Sequence, residues 1–242
     1  APGELMERWN VQDALELYAC RNWGKGYFSI NEAGHVSVHP RKRTHESIDL
    51  KELVDQLLAR GIQLPILLRF TDILHHRLGE IHKAFERAIS EHQYQGDYCS
   101  VYPIKVNQQR HVVEEMLAFG RQYPFGLEAG SKPELLAVLA LVNDDTTPII
   151  CNGFKDDEFI QMTILARKLG KQVIPVVEKF SELEMIVRYA ERWSVRPVLG
   201  VRVKLASRGS GRWKSSAGYR SKFGLTLTEV LEAVEYLKQR GM

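Results

Sequence analysis

The sequence predicts an α/β fold built on a parallel sheet and preceded by a short antiparallel hairpin. Three observations carry this. From about residue 98 onward, apolar runs of strand length alternate with helical segments, one strand roughly every 25 residues. Alternation of this kind implies right-handed βαβ units and parallel strands. The runs are continuously apolar, which is the pattern of strands covered on both faces. Residues 27–40, by contrast, alternate apolar and polar side chains with period two, as a half-buried hairpin does.

Taken in order, residues 9–20 predict a short helix. In "YFSINEAGHVSVHP" (27–40), Phe28, Ile30, Val36 and Val38 alternate with polar residues on either side of a turn from Asn31 to Gly34. A lone hairpin is marginal in water, so it is expected to join a larger sheet. A helix over 49–60 ends at Gly61, a residue suited to a C-terminal cap. "LPILLRF" (64–70) predicts a strand. The long helix at 72–92 carries Ile73, Leu74, Leu78, Ile81, Phe85 and Ile89 along one stripe. The strands of the repeat are predicted at 98–106, 125–129, 148–152, 172–177 and 198–205. Helices lie near 108–120, 131–142, 156–169, 181–193 and 226–240. Ser131 with Glu134, Ser181 with Glu184 and Thr226 with Glu229 have the spacing of capping boxes. Such a repeat suits either a doubly wound sheet or a (β/α)8 barrel. A barrel needs eight strands and typically ~250 residues. Only five or six βα units follow the hairpin region here, so a barrel would remain open at the last of the 242 residues.

Composition narrows the function classes. Hydrophobic residues make up 44% and charged residues 26%, as in an ordinary globular protein. A net charge of +3 with scattered basic residues gives no footprint for nucleic acid, and Arg41-Lys42-Arg43 reads as a solvated loop. Cys20, Cys99 and Cys151 are far apart and lack Cys-x-x-Cys spacing, so neither a disulfide framework nor a zinc site is expected. No apolar run reaches the ~18 residues of a membrane span, and no signal-peptide pattern opens the chain. The expectation is a soluble, cytoplasmic protein. His75, His76 and His82 share a helix, but no carboxylate-containing motif completes a metal site. They read as solvated or capping residues. No nucleophile pattern accompanies His35, His39 and His45, and there is no Gly-x-Ser-x-Gly elbow.

In parallel α/β folds the reactive groups gather at the C-terminal ends of the strands. Each predicted strand ends in polar residues: Lys105 and Asn107, then Glu128, then Asn152, then Glu178 and Lys179, then Arg202 and Lys204. Lys105 stands between Ile104 and Val106 in a run that otherwise reads as buried. Burying a lysine is costly unless it is paired, neutral or covalently used, and a neutral amine is the nucleophile of Schiff-base chemistry. A lysine that snorkels from a strand end to water explains the same residues. "GSGRWKSSAGYRSKFG" (209–224) holds four glycines and five basic residues. It fits either a loop that attracts phosphate or carboxylate over the strand ends or a solvated loop.

Several long motifs occur in order: "VYPIKVNQQ" (101–109), "GLEAGSKPEL" (126–135), "ICNGFKDDEFI" (150–160), "LGVRVKLASRGSGRW" (199–213) and "SKFGL" (221–225). Together they resemble the large biosynthetic arginine decarboxylases, and the hairpin and residues 64–78 match as well. That family is dependent on pyridoxal 5′-phosphate (PLP) and has an alanine-racemase-like fold. The resemblance implies that residues 1–47 are a helix and hairpin segment of a β-rich domain. Residues 48–242 would form part of a PLP-binding (β/α)8 barrel, truncated before closure. It implies that Lys105 holds PLP covalently, that Glu128 is the acidic residue beside that link, and that Arg202 is the strand-end arginine near the cofactor. No residue is assigned to a metal, although the family implies magnesium. The implied reaction is decarboxylation of L-arginine to agmatine for polyamine and spermidine synthesis, by a homo-oligomer with shared sites.

Other parts of the family's site are expected beyond Met242: a His-x-Gly-Ser-Gln motif, a glycine-rich phosphate loop, the acidic partner of the pyridine nitrogen, and a substrate-binding cysteine and aspartate from a partner subunit. The chain alone is therefore expected to be inactive, with the activity residing in the full-length protein. The alternatives are a non-catalytic PLP-barrel relative that binds or regulates, and a decarboxylase acting on lysine, ornithine or diaminopimelate.

Overall fold

The computed structural model describes residues 8–205 and 221–242. Residues 209–220 of the basic glycine- and serine-rich loop thus lie outside the described residues. The chain divides into two compact units, Ala1–Arg87 and Ala88–Met242.

The first unit opens with α1 (Val11–Leu17), capped by Asn10 in a capping box with Asp13. The single helix predicted over 9–20 is broken: Ala19 adopts left-handed φ (+48°), and α2 (Cys20–Gly24) starts after it. The hairpin forms as predicted. β1 (Phe28–Ile30) pairs antiparallel with β2 (Val36–Val38), with Phe28 opposite Val38 and Ile30 opposite Val36. In the turn, Asn31 Oδ1 accepts from the amides of Ala33 (3.1 Å) and His35 (2.9 Å). A third strand, β3 (Ile48–Asp49), pairs with β2, so the hairpin gains a neighbour from two residues at the threshold of the next helix. Asp49 then caps α3 (Leu50–Ala59) by accepting from Lys51 N and Glu52 N. Gly61 follows the helix at positive φ, as the sequence predicts.

Further expectations fail in this unit. Residues 64–70 form no strand: Ile66, Leu68 and Phe70 alternate in burial with exposed Leu67 and Arg69, but no ladder partner stands beside them among the described residues. Alternation reports an extended chain, and a strand also needs a neighbour. In α4 (Thr71–Glu91), Leu78 is buried while Ile81 and Phe85 are exposed. His82, expected to be solvated or capping, is buried, and burial pushes its pKa below the ordinary histidine value.

Glu80 on α4 gathers charges from two directions. It accepts from Lys42 Nζ (2.7 Å) and Arg77 Nη1 (2.7 Å) and pairs with His76. The Lys42 hydrogen bond, followed by that of Arg77, holds its carboxyl down to about 2 against the desolvation that opposes it. A carboxyl depressed in the fold stabilises above its unfolded value, and that contribution is lost as pH falls through the folded value. The melting midpoints of the full-length protein and of Glu80→Gln are therefore expected to differ at neutral pH. They should converge between pH 4.5 and about 2, as pH-dependent calorimetry would show.

The second unit is a parallel sheet with its strands in chain order: β4 (Ser100–Pro103), β5 (Phe125–Ala129), β6 (Pro148–Cys151), β7 (Gln172–Val177) and β8 (Gly200–Val201). Between them run α5 (Arg110–Gly120), α6 (Lys132–Leu141), α7 (Asp157–Lys168) and α8 (Phe180–Trp193), and α9 (Leu227–Lys238) follows β8. A doubly wound sheet reverses its strand order at a switch point. Here each strand lies beside its predecessor with no reversal, which is the order of a barrel wall. The wall is not closed: β4 and β8 each have one strand neighbour among the described residues.

Three local expectations are corrected. The 98–106 run keeps only four residues as a strand, and Ile104–Val106 turn as a 3-10 helix. β8 is cut to two residues plus an isolated parallel bridge from Val203 to Leu225. Burial on both faces is not realised in β7, where Val173, Pro175 and Val177 are buried and the intervening residues are half-buried. The buried face packs on helices, with Val177 against Ile160 and Ile164 of α7 and Leu183 and Ile186 of α8. Of the predicted boxes, Thr226 with Glu229 is complete. Ser131 caps α6, but Glu134 turns to the amide of Gly130 instead (2.6 Å). Ser181 lies inside α8, whose N-cap is Lys179.

The core between sheet and helices includes Leu127, Leu135, Ile149, Phe159, Ile160, Ile164, Leu183 and Ile186, all essentially inaccessible. Gly126 lets β5 and β6 approach: a Cβ there would stand 2.5 Å from the Pro148 carbonyl oxygen. Gly126→Ala must push backbone aside and is expected to destabilise by about 1–3 kcal/mol, read as a lowered melting midpoint. No helix among the described residues is long and apolar enough to cross a membrane.

Candidate active site

The register of the sheet sets the C-terminal strand ends side by side: Pro103 opposite Glu128, Ala129 opposite Cys151, Val177 opposite Val201. The residues that follow each strand form a polar belt along one end of the wall. At its β4 end, Lys105 leaves the 3-10 turn and its Nζ lies 3.3 Å from Glu128 Oε1 on β5. The Lys105 side chain is 61% exposed and that of Glu128 14%. Of the two readings the sequence leaves open, a buried lysine and one that reaches water from a strand end, this exposure matches the second. The turn at Ile104–Val106 rotates Ile104 into the core and leaves both Lys105 and Val106 in the open. What results is an accessible primary amine against a largely shielded carboxylate.

Arg202 lies at the other end of the belt. The structure pairs it with Glu178 rather than with Lys105 or Glu128. Its Nη1 is 3.3 Å from Oε2 of Glu178, whose side chain is fully buried. Glu178 Oε1 also accepts from the amide of Gly153 (2.7 Å), on the loop after β6. Gly224 closes this corner. It donates to the Glu178 carbonyl (3.1 Å) at φ +90°, where a Cβ would meet the Arg202 carbonyl oxygen at 3.0 Å, so both conformation and space demand glycine. The Arg202 guanidinium stands over the Phe223 ring, which packs against Phe154. Lys179 Nζ lies 3.7 Å from the centre of the Phe154 ring.

Between these two groups lies a buried ion pair that the sequence did not point to. Lys155 Nζ is 3.2 Å from Glu182 Oε2, with side-chain exposures of 0% and 2%. Glu182 also accepts from the amides of Lys155 (2.9 Å) and Glu178 (2.8 Å), and Lys155 Nζ donates to the Gly153 carbonyl. Burial pushes the Lys155 pKa below the ordinary lysine value, and the Glu182 charge works against that shift. Cys151, at the end of β6, is buried and its thiol is pushed up to about 12, so it stays protonated. Glu182 had a legible signal, an acidic residue at the third position of a helix following a strand, which reaches back to free amides. Lys155 had none, since a lysine before two aspartates reads as solvated.

An accessible amine beside a carboxylate, with a guanidinium further along the same strand ends, suits a cofactor that carries an aldehyde and an anionic group. Residues 78–241 match the family model described as the pyridoxal-dependent decarboxylase, pyridoxal binding domain. The chain belongs to this family. Among its curated relatives, the biosynthetic arginine decarboxylase of Rhodopirellula baltica is 54% identical over 233 residues, covering 96% of this chain and 35% of the relative. The biosynthetic arginine decarboxylase of Bacteroides thetaiotaomicron is 48% identical over 237 residues, covering 98% and 38%. The crystal structure of the biosynthetic arginine decarboxylase from Campylobacter jejuni superposes with a TM-score of 0.78 at 36% identity, over 92% of this chain and 35% of that one. The Paramecium bursaria Chlorella virus arginine decarboxylase shares the fold, with a TM-score of 0.52 at 16% identity, over 78% of this chain and 44% of that one. The chain thus spans little more than a third of the curated decarboxylases it matches. Its open wall is the pyridoxal-binding barrel fold of this family, seen over five strands.

Proposed function

We propose that the full-length protein carrying this chain decarboxylates L-arginine to agmatine and CO2, with PLP held on Lys105. The observation that carries this reading is the 3.3 Å contact between Lys105 Nζ and Glu128 Oε1 on neighbouring strand ends of a pyridoxal-binding wall. Bound PLP supplies the electron sink for the pair left on Cα when CO2 departs.

The chain's own residues have distinct tasks. Lys105 presents its amine to solvent, where an incoming aldehyde can reach it. An ammonium has no lone pair, so the amine must shed a proton before it attacks. Glu128 is the acceptor within hydrogen-bond reach and can hold that proton beside Nζ. Arg202, fixed by the buried Glu178 carboxylate, keeps a positive charge at the strand ends, where it attracts an anionic group of cofactor or substrate.

The same proposal assigns residues 48–242 to the barrel and residues 1–47 to the β-rich domain. It includes a homo-oligomer with shared sites in the cytoplasm and a magnesium requirement whose ligands are not assigned to any described residue. The test is an end-point assay of the full-length protein with PLP, offered L-arginine, L-lysine and L-ornithine separately. Agmatine formation from arginine, well ahead of product from the others, is expected. Product from lysine or ornithine instead would correct the substrate. PLP binding with no CO2 from any of the three would favour the non-catalytic relative or a decarboxylase of diaminopimelate.

A further inference from the structure

We infer that Lys155 and Glu182 are positioning residues, a buried clamp that sets the Glu178 carboxylate and through it the Arg202 guanidinium. The inference rests on the proposed reading in one respect, that Arg202 faces the cofactor.

The geometry is unusual for a structural ion pair. Both side chains are almost completely inaccessible, and burying two charges costs more than most isolated pairs return. Nearly every polar atom of the pair is spent on the two loops that frame the site. One Glu182 oxygen takes the amide of Lys155 in the loop after β6, and the other takes the amide of Glu178 at the end of β7. Lys155 Nζ, besides Glu182, takes the carbonyl of Gly153. The amide of the same Gly153 donates to Glu178 Oε1. The clamp therefore fixes the backbone on both sides of the Glu178 carboxylate. That leaves Glu178 Oε2 aimed at Arg202 Nη1. Lys155 and Glu182 are enclosed, with side-chain exposures of 0% and 2%, so their effect passes through the groups they hold, the Gly153 loop and the Glu178 backbone. An apolar pair of similar volume would fill the same space but bind no amides.

The test uses the full-length protein and the double variant Lys155→Met/Glu182→Leu, which removes both charges together and leaves none unpaired. Three readouts are taken: backbone hydrogen exchange of the PLP-free protein over residues 150–156 and 174–179, PLP affinity, and kcat against KM. The expected result is a folded variant with faster exchange in both segments. Its PLP affinity should be weaker by about tenfold, the scale of one misplaced charge-assisted hydrogen bond. Its kcat should fall further than its KM rises. Unchanged exchange, or faster exchange with PLP affinity and kcat within about twofold of wild type, overturns the inference. If the double variant does not fold, Glu182→Gln gives the same three readouts, because the two backbone amides bond to different Glu182 oxygens and glutamine replaces one of those oxygens with an NH2 donor. Arg202→Ala is measured in parallel. If Arg202→Ala leaves PLP affinity intact, the placement of Arg202 fails. If Arg202→Ala weakens PLP and the double variant does not, the clamp alone fails.

Discussion

Lys105→Ala is expected to lower agmatine formation by the full-length protein by roughly a thousandfold or more, as loss of a covalent nucleophile does, with the fold intact. The two halves of this expectation have separate causes. The Lys105 side chain is 61% exposed and makes one ion pair, to Glu128. Exposed pairs contribute about 0–1 kcal/mol, so the melting midpoint should move little. The chemistry, in contrast, has no substitute amine in contact with Glu128 among the described residues. Lys132 is engaged by Asp156 and Glu158 and its pKa is raised to about 12 by those contacts, and Lys155 is enclosed. A variant that keeps a tenth of the wild-type rate at unchanged stability would remove Lys105 from the reaction.

Glu182→Ala is expected to have the largest effect on stability, a loss of about 3–5 kcal/mol, because it strands a buried charge. It also orphans the amides of Lys155 and Glu178. The Lys155 pKa, already lowered by burial, would fall further without its partner. A lysine depressed in the fold binds fewer protons there than in the unfolded chain, so stability rises with pH through the window between the two values. The deficit of Glu182→Ala should therefore shrink as pH rises toward the ordinary lysine value of 10.5. Lys155→Met/Glu182→Leu should melt well above the single variant. Thermal unfolding of both variants between pH 7 and pH 10 checks this, and a single variant as stable as wild type would contradict the buried pair.

Much of this architecture was legible from local pattern. The hairpin followed from the alternation of Phe28, Ile30, Val36 and Val38. The order of strands and helices from β4 to α9 followed from periodicity and from caps such as Thr226 with Glu229. The failures share a physical cause, since each depended on what stands beside a segment. Residues 64–70 have the pattern of a strand without a ladder partner, and the β8 region carries strand-forming residues of which two pair continuously. For Lys105 the sequence left burial and reach to water both open, because the single 3-10 turn that exposes it leaves no trace in hydrophobicity. The strand-end rule brought Lys105 and Glu128 together and placed Arg202 on the same face. It could not show that Arg202 turns to Glu178, or that Lys155 is buried, because both depend on hydrogen bonds between residues more than twenty positions apart.

The most direct test of the central claim is chemical mapping of the cofactor link. The full-length protein, saturated with PLP, is treated with borohydride to make the amine linkage permanent, then digested and sequenced by mass spectrometry. A pyridoxyl-phosphate adduct on Lys105 and on no other lysine of the chain is the predicted result. An adduct on Lys179 or Lys204 instead, or a protein that binds PLP without any covalent adduct, would contradict it.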